Sequence, residues 1–117
     1  MQSNPSVREA LEAAMTRTAQ YRSFAEFYPY YLGEHRNPTC RRLHFVGTSL
    51  VIALLAYAIA SGHWLLLVAV PLAGYGFAWA GHFFFEKNRP ATFTYPFYSL
   101  IGDFAMFRDI LRGKISL

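Results

Sequence analysis

The side chains best suited to chemistry are four histidines spaced along an apolar chain: His35, His44, His63 and His82. His44 lies 19 residues before His63, and His82 lies 19 residues after it. If the chain turns back near His63, helices rising about 1.5 Å per residue return His44 and His82 to one depth and leave His63 about 28 Å away. At that turn we expect His63 only to bond to a neighbour or a lipid headgroup.

A carboxylate and a break in the chain complete this candidate site. Glu86 follows His82 by four residues, so the two side chains share one helical face. The break at residues 37–38 separates His35 from the helix that carries His44, so His35 can fold back toward the other imidazoles. Three imidazoles and a carboxylate suit iron, and less specifically zinc; non-haem iron oxygenases use two histidines and one carboxylate. The alternative is that these side chains only pack helices.

The elements that must position these residues are two apolar helices. Residues 43–85 contain no Asp, Glu, Lys or Arg. A helix of that length would run about 65 Å, enough for two crossings of a hydrocarbon core about 30 Å thick. We therefore predict a single all-α integral membrane domain over residues 1–117. Its helical hairpin has transmembrane helices over 38–61 and 64–86, flanked by amphipathic, aromatic or interfacial helices over 1–36 and 93–114.

Local signals mark where these helices begin, turn and bend. Asn37 is suited to cap the first transmembrane helix, and Pro38 to be its first residue. Gly62 lies at the turn, and Pro71 predicts a kink in the second transmembrane helix. Aromatic residues are dense between 21 and 32, where tyrosines are typical of a membrane interface.

The charges predict an orientation in the membrane. Arg36, Arg41 and Arg42 precede the uncharged block, Lys87 and Arg89 follow it, and the turn carries no cation. By the positive-inside rule both termini are cytoplasmic, in the inner membrane of a prokaryote or the endoplasmic reticulum of a eukaryote. No nucleic-acid partner is expected, because the cations flank the apolar block and form no separate basic stripe. The single cysteine excludes an internal disulfide.

Two segments carry the signatures of a known family. Residues 31–38 (YLGEHRNP) with 41–47 (RRLHFVG), and residues 81–91 (GHFFFEKNRPA), resemble the two motifs of the 2-hydroxy fatty acid dioxygenase family, catalogued earlier as domain of unknown function 962. The tail over 96–114 is similar to the family's C-terminal helix. The resemblance covers about residues 21–114.

The resemblance implies a membrane-embedded Fe(II)-dependent dioxygenase. Such an enzyme uses O2 in the α-oxidation of 2-hydroxy fatty acids and yields a fatty acid one carbon shorter. His35, His44 and His82 match the motif histidines, and Glu86 matches the motif glutamate. The resemblance therefore implies that these four residues form the catalytic metal site, with Glu86 as a fourth ligand or as a partner that fixes an imidazole.

Substrate binding and the alternatives are less sharply defined. Arg41, Arg42 or Arg89 can attract the substrate carboxylate, although each is also an ordinary cytoplasmic anchor. The eukaryotic enzyme has further transmembrane segments between the motifs, so this chain resembles a short prokaryotic-type member. The sequence does not define acyl chain length or oligomeric state. The runner-up is a non-catalytic membrane protein whose histidines bind metal or only pack helices. A transporter subunit is disfavoured because the polar cluster lies at the interface, away from midplane.

Overall fold

The protein was analysed as a computed structural model, which describes residues 6–11 and 21–117. Within these residues the chain forms helices and no strand, so the predicted all-α class is confirmed. Residues 7–11 are helical. The rest of the amphipathic helix predicted near the N-terminus lies outside the described residues.

Four α-helices follow from residue 21 onward: α1 (Phe24–Gly33), α2 (Pro38–Ser61), α3 (Ala69–Ala80) and α4 (Pro96–Leu111). Three shorter helical segments connect them: a 3-10 helix (Trp64–Val68) before α3, a π-helix (Gly81–Glu86) after it, and a 3-10 turn (Ala91–Phe93) before α4. The continuous helical segments Pro38–Ser61 and Trp64–Glu86 are each long and apolar enough to cross a membrane.

Helix α2 begins after a side-chain cap and ends at a glycine in a left-handed conformation. The Asn37 side chain accepts hydrogen bonds from the backbone N of Thr39 at 2.9 Å and of Cys40 at 3.2 Å. Pro38 needs no such partner, because it has no N–H. The predicted Asn37 cap is therefore confirmed. Gly62 ends the helix with φ at 73°, a left-handed conformation that a residue without Cβ adopts at low cost.

The second apolar segment changes its winding along its length. Pro71 lies in the first turn of α3, where it cannot donate a hydrogen bond to the carbonyl of Leu67. The residues before it are wound more tightly, as a 3-10 helix. The change from 3-10 to α-helix lies between Val68 and Ala69, and the predicted kink at Pro71 stays a prediction.

Small residues bring α2 and α3 close together. A Cβ added at Gly47 would lie 2.9 Å from the Cβ of Phe77, and one added at Gly74 would lie 3.2 Å from Cγ2 of Val51. Larger side chains at these glycines would push the helices apart. This close approach holds the two ends of the hairpin that carry His44 and His82 in register.

Helix α1 packs against α4 through an aromatic core. Phe27, Tyr31 and Met106 are 0%, 1% and 1% exposed. The Tyr28 hydroxyl donates to Oδ2 of Asp109 at 2.7 Å across the same contact. Phe27 and Tyr31 are therefore covered by α4, and the predicted membrane-interface position of the tyrosines in this segment stays a prediction. This packing fixes the end of α1, from which His35 projects.

Candidate metal centre

Three histidines from separate segments meet in the protein interior. His35 follows α1, His44 lies in the second turn of α2, and His82 lies in the π-helix after α3. The ring centroids are 4.4 Å apart for His35 and His44, 4.4 Å for His35 and His82, and 4.9 Å for His44 and His82. All three are at most 4% exposed. Their convergence therefore depends on α1, α2 and the second apolar segment together.

Each imidazole is held through its Nδ1 atom by an oxygen acceptor. His35 Nδ1 lies 2.6 Å from the carbonyl O of Tyr31, and His44 Nδ1 lies 3.0 Å from that of Cys40. His82 Nδ1 lies 2.7 Å from Oδ1 of Asn88. Because these oxygens only accept, each Nδ1 carries the proton, and each Nε2 presents a lone pair. This arrangement is the one that metal-binding histidines use to fix their ring orientation.

Asn88 is itself oriented by two acceptors. Its Nδ2 donates to the carbonyl O of Glu34 at 3.0 Å and to the carboxylate Oε2 of Glu34 at 2.7 Å. The amide nitrogen must therefore face Glu34, which leaves Oδ1 facing His82. A hydrogen-bonded chain thus runs from the end of α1 to the His82 ring.

The Nε2 atoms fit a shared metal ion. His35 Nε2 and His44 Nε2 lie 3.0 Å apart. Two lone-pair nitrogens at that distance have no proton to share, whereas two nitrogens bound at about 2.1 Å and at right angles to one ion lie about 3.0 Å apart. Burial lowers the pKa of His35 well below its usual range, and the neighbouring His44 and His82 lower it further. The imidazole is therefore neutral, as metal ligation requires.

Cys40 also lies in this group, although its spacing was not used in predicting the site. One ligand atom from each of His35, Cys40, His44 and His82 lies within 4.8 Å of the others. The Cys40 Sγ lies 3.7 Å from Nδ1 of His44, on the protonated side of that ring. On the other side of that ring, His44 Nε2 faces Nε2 of His35. The Cys40 thiol is therefore a further candidate ligand beside the three imidazoles.

Glu86 lies beside the histidines but points to a different partner. Its Oε1 accepts a hydrogen bond from the backbone N of Asn37, and the Asn37 side chain donates to the carbonyl O of Phe85 at 3.3 Å. These bonds join the beginning of α2 to the end of the second apolar segment. Glu86 is absent from the ligand group among the described residues. Its role as a direct ligand stays a prediction, and its observed contact favours the role of a partner that holds the two segments together.

The three arginines predicted to attract a carboxylate all have other contacts. Arg41 donates from Nη1 to the carbonyl O of Arg36 at 2.6 Å and from Nε to that of Ser116 at 2.9 Å. Arg42 donates to the carbonyl O of Leu117 at 3.3 Å. The guanidinium of Arg89 lies 5.0 Å from the centre of the Phe93 ring. Their attraction for a substrate carboxylate stays a prediction.

A small cavity of about 10 Å³ lies against the three histidines. That volume holds about one water-sized group. Two buried donors that line it, Trp79 Nε1 and Ser99 Oγ, have no hydrogen-bond partner among the described residues. Tyr31 and Asp103 also line it, and the Tyr31 hydroxyl donates to Oδ1 of Asp103. Burial raises the pKa of Asp103 to about 7, although the bond from Tyr31 opposes that shift. The cavity therefore offers polar groups next to the three histidines.

The Asn88 contact leads to a testable consequence. Replacing Asn88 with alanine removes the acceptor that orients His82, and we expect metal affinity to fall about 10–100-fold. Competition between the purified protein and a chelator of known affinity measures this change. Thermal unfolding of the metal-free variant should stay close to that of the wild type, which separates lost ligand orientation from lost folding. Wild-type affinity in the variant would show that the Asn88 contact does not tune the site.

Comparison with known proteins places this constellation in a family. No curated protein and no solved structure matches the chain. A family model does match, over residues 21–115, and that range contains all three convergent histidines and the oxygens that hold them. Since it spans most of the 117 residues, the chain belongs to the family described as 2-hydroxy-palmitic acid dioxygenase Mpo1-like.

Proposed function

We propose that the protein is an Fe(II)-dependent dioxygenase that acts on 2-hydroxy fatty acids within a membrane. The observation that carries the proposal is the set of three buried imidazoles, each held through Nδ1, whose ring centroids lie within 4.9 Å of one another. Imidazole ligands suit Fe, Zn, Cu and Ni alike. The choice of this substrate class and of O2 as co-substrate rests on the name of the family. The choice of iron rests on the imidazole donors and on the use of histidine-bound Fe(II) by non-haem oxygenases.

His35, His44 and His82 would hold the metal, and the oxygens of Tyr31, Cys40 and Asn88 would keep their rings in place. Bound iron supplies the means to activate O2 for cleavage of the bond between the first two carbons of the substrate. One O2 per substrate balances the reaction when the products are the shorter fatty acid, carbon dioxide and water. The polar head of a 2-hydroxy acid carries a hydroxyl and a carboxylate, which are both suited to this polar site.

The exposed surface supports a position in the bilayer. In the most apolar stretch of each candidate transmembrane segment, only 22% and 11% of residues are buried in the protein. A core helix of a soluble protein would be mostly buried instead. Leu65, Leu72 and Phe84 are 87%, 71% and 73% exposed. Apolar surface of this extent needs a lipid or protein cover. A membrane enzyme also meets its lipid substrate without an aqueous transfer.

The proposed orientation places both termini in the cytoplasm. Cations flank the hairpin at its open end, and the turn at Gly62 carries none. By the positive-inside rule, a reporter fused after Leu117 should show cytoplasmic activity, and a short tag inserted at Gly62 should be accessible from outside. A C-terminal reporter on the outer side would overturn this orientation.

The proposed activity is tested by metal content and oxygen uptake. Protein purified and reconstituted with Fe(II) without oxygen should hold one iron per protomer. Addition of O2 and 2-hydroxypalmitate should then give oxygen uptake and pentadecanoate. Palmitate is the matched control, because it has the same chain without the hydroxyl, and it should give neither. Stoichiometric metal without turnover would overturn the dioxygenase and support a non-catalytic membrane protein that binds metal. Absence of metal would support histidines that only pack helices.

A further inference from the structure

A second, larger cavity of about 190 Å³ opens beside the metal centre. Its walls come from three helices: α2 supplies Thr48 and Val51, α3 supplies Gly74, and α4 supplies Leu100 and Phe104. Apart from its end at the metal centre, its lining is mainly apolar. Gly74 leaves room that a side chain would fill, since a Cβ there would already lie 3.2 Å from Cγ2 of Val51.

This cavity and the small cavity at the histidines share three lining residues. His44, Ala78 and Asp103 line both. The two spaces are therefore neighbours, separated by one metal-ligating imidazole, one carboxyl group and one methyl group. A molecule with a polar head and an apolar tail can therefore lie in the larger cavity with its head at the shared wall of His44 and Asp103.

The larger cavity runs away from the metal centre along the membrane-spanning part of the hairpin. Val51 lies seven residues beyond His44 on α2, which is about 10 Å along the helix axis. On the α4 side, Leu100 and Phe104 are 50% and 38% exposed. The cavity therefore reaches the lipid-facing surface between α4 and the hairpin. An acyl chain can enter sideways from the bilayer without crossing water.

We propose that this cavity, hereafter the acyl slot, receives the hydrocarbon chain of the substrate, and that Val51 determines how long a chain it accepts. The inference rests on the proposed function for the identity of the polar head. The chain runs from the junction at His44 and Asp103 toward Val51, nearly parallel to α2.

Photocrosslinking tests the acyl slot without turnover. The probe is a 2-hydroxy fatty acid with a diazirine at the middle of its chain, bound to the Fe(II) protein under anaerobic conditions. We expect labels on Val51, Val70 or Leu100 that excess 2-hydroxypalmitate removes. Labels restricted to the exposed Phe84 or Phe97, or labels that do not compete, would overturn the acyl slot.

A pair of adjacent substitutions tests the role of Val51 in chain length. Val51→Phe fills the far part of the acyl slot, whereas Ile52→Phe adds the same ring at the next position, which is 40% exposed and does not line the cavity. We expect Val51→Phe to lower kcat/KM for 2-hydroxypalmitate about tenfold relative to 2-hydroxyhexanoate, whose chain is too short to reach Val51. Ile52→Phe should leave this ratio unchanged. Equal ratios in the two variants would overturn the assignment of Val51.

The outcomes separate this inference from the proposed activity. Competed labels in the acyl slot without oxygen uptake would support a lipid-binding slot and overturn the dioxygenase. Oxygen uptake with an unlabelled slot would keep the dioxygenase and overturn the acyl slot alone.

Discussion

Replacing His35, His44 or His82 with alanine is expected to remove the bound metal and the activity. Each substitution deletes one of three clustered imidazoles, and no other imidazole lies near enough among the described residues to replace it. The loss in iron affinity should exceed the about 10–100-fold cost of losing an outer partner. Iron per protomer and oxygen uptake with 2-hydroxypalmitate measure the effect.

His63→Ala is the matched control for these three variants. His63 lies at the hairpin turn, is exposed, and stacks on Tyr57 with 6.0 Å between ring centroids. It should therefore keep wild-type iron and turnover. All four variants should still insert in membranes, because the apolar segments are unchanged. Wild-type iron in any two of the three site variants would overturn the metal centre.

A substitution outside the ligand set should have the second large effect. A Cβ at Gly102 of α4 would lie 2.8 Å from Cδ2 and Cε2 of the Tyr31 ring. Tyr31 stacks on the His35 ring, with centroids 4.0 Å apart, and its carbonyl holds Nδ1 of His35. Gly102→Leu must therefore displace the residue that positions one metal ligand. We expect reduced stability and loss of iron, although no ligand has been changed.

The cost of overpacking at Gly102 is larger than the gain in helix propensity, so the substitution should lower stability. Overpacking a buried site costs about 1–3 kcal/mol or more, whereas the better helix propensity of leucine over glycine returns less than about 1 kcal/mol. Gly76→Leu is the matched control, because a Cβ at Gly76 has nothing within 4 Å. Thermal unfolding in detergent and iron content should both fall for Gly102→Leu and remain near wild type for Gly76→Leu. Equal behaviour of the two variants would contradict a tight contact at Tyr31.

The meeting of His44 and His82 was predictable because a five-residue 3-10 segment, rising about 2.0 Å per residue instead of about 1.5 Å, shifts the depth by only about 2.5 Å. Equal spacing about His63 predicts one depth for both, and their ring centroids are 4.9 Å apart. The all-α class and the two apolar helices were predictable from the length of the uncharged block. Periodicity of a single chain does not, however, indicate which face of one helix meets which face of another.

The parts of the site that sequence reasoning missed are tertiary contacts. Asn88 lies six residues beyond His82, and only the left-handed turn at Lys87, with φ at 59°, brings its side chain back. Glu86 shares the His82 face by spacing, but the free N–H of Asn37 at the beginning of α2 competes for its carboxylate. Cys40 could have been found, because it precedes His44 by four residues on one helix.

The aromatic segment illustrates a competition that composition does not resolve. Tyrosines between residues 21 and 32 suit either a membrane interface or a protein core with hydrogen-bond acceptors inside. On α4, Asp109 and Asp103 accept hydrogen bonds from Tyr28 and Tyr31, so these two hydroxyls have partners inside the protein. From the sequence of α4 alone, the same two carboxylates are equally consistent with polar groups at a membrane interface.

The origin of the three imidazoles in separate segments has a consequence for biosynthesis. A nascent chain that ends before His82 offers at most two of the three imidazoles. If the proposed metal needs all three, it can bind fully only after the second apolar segment has been synthesised and has folded against α2. Iron starvation during synthesis would then leave an inserted, metal-free protein that can be loaded later.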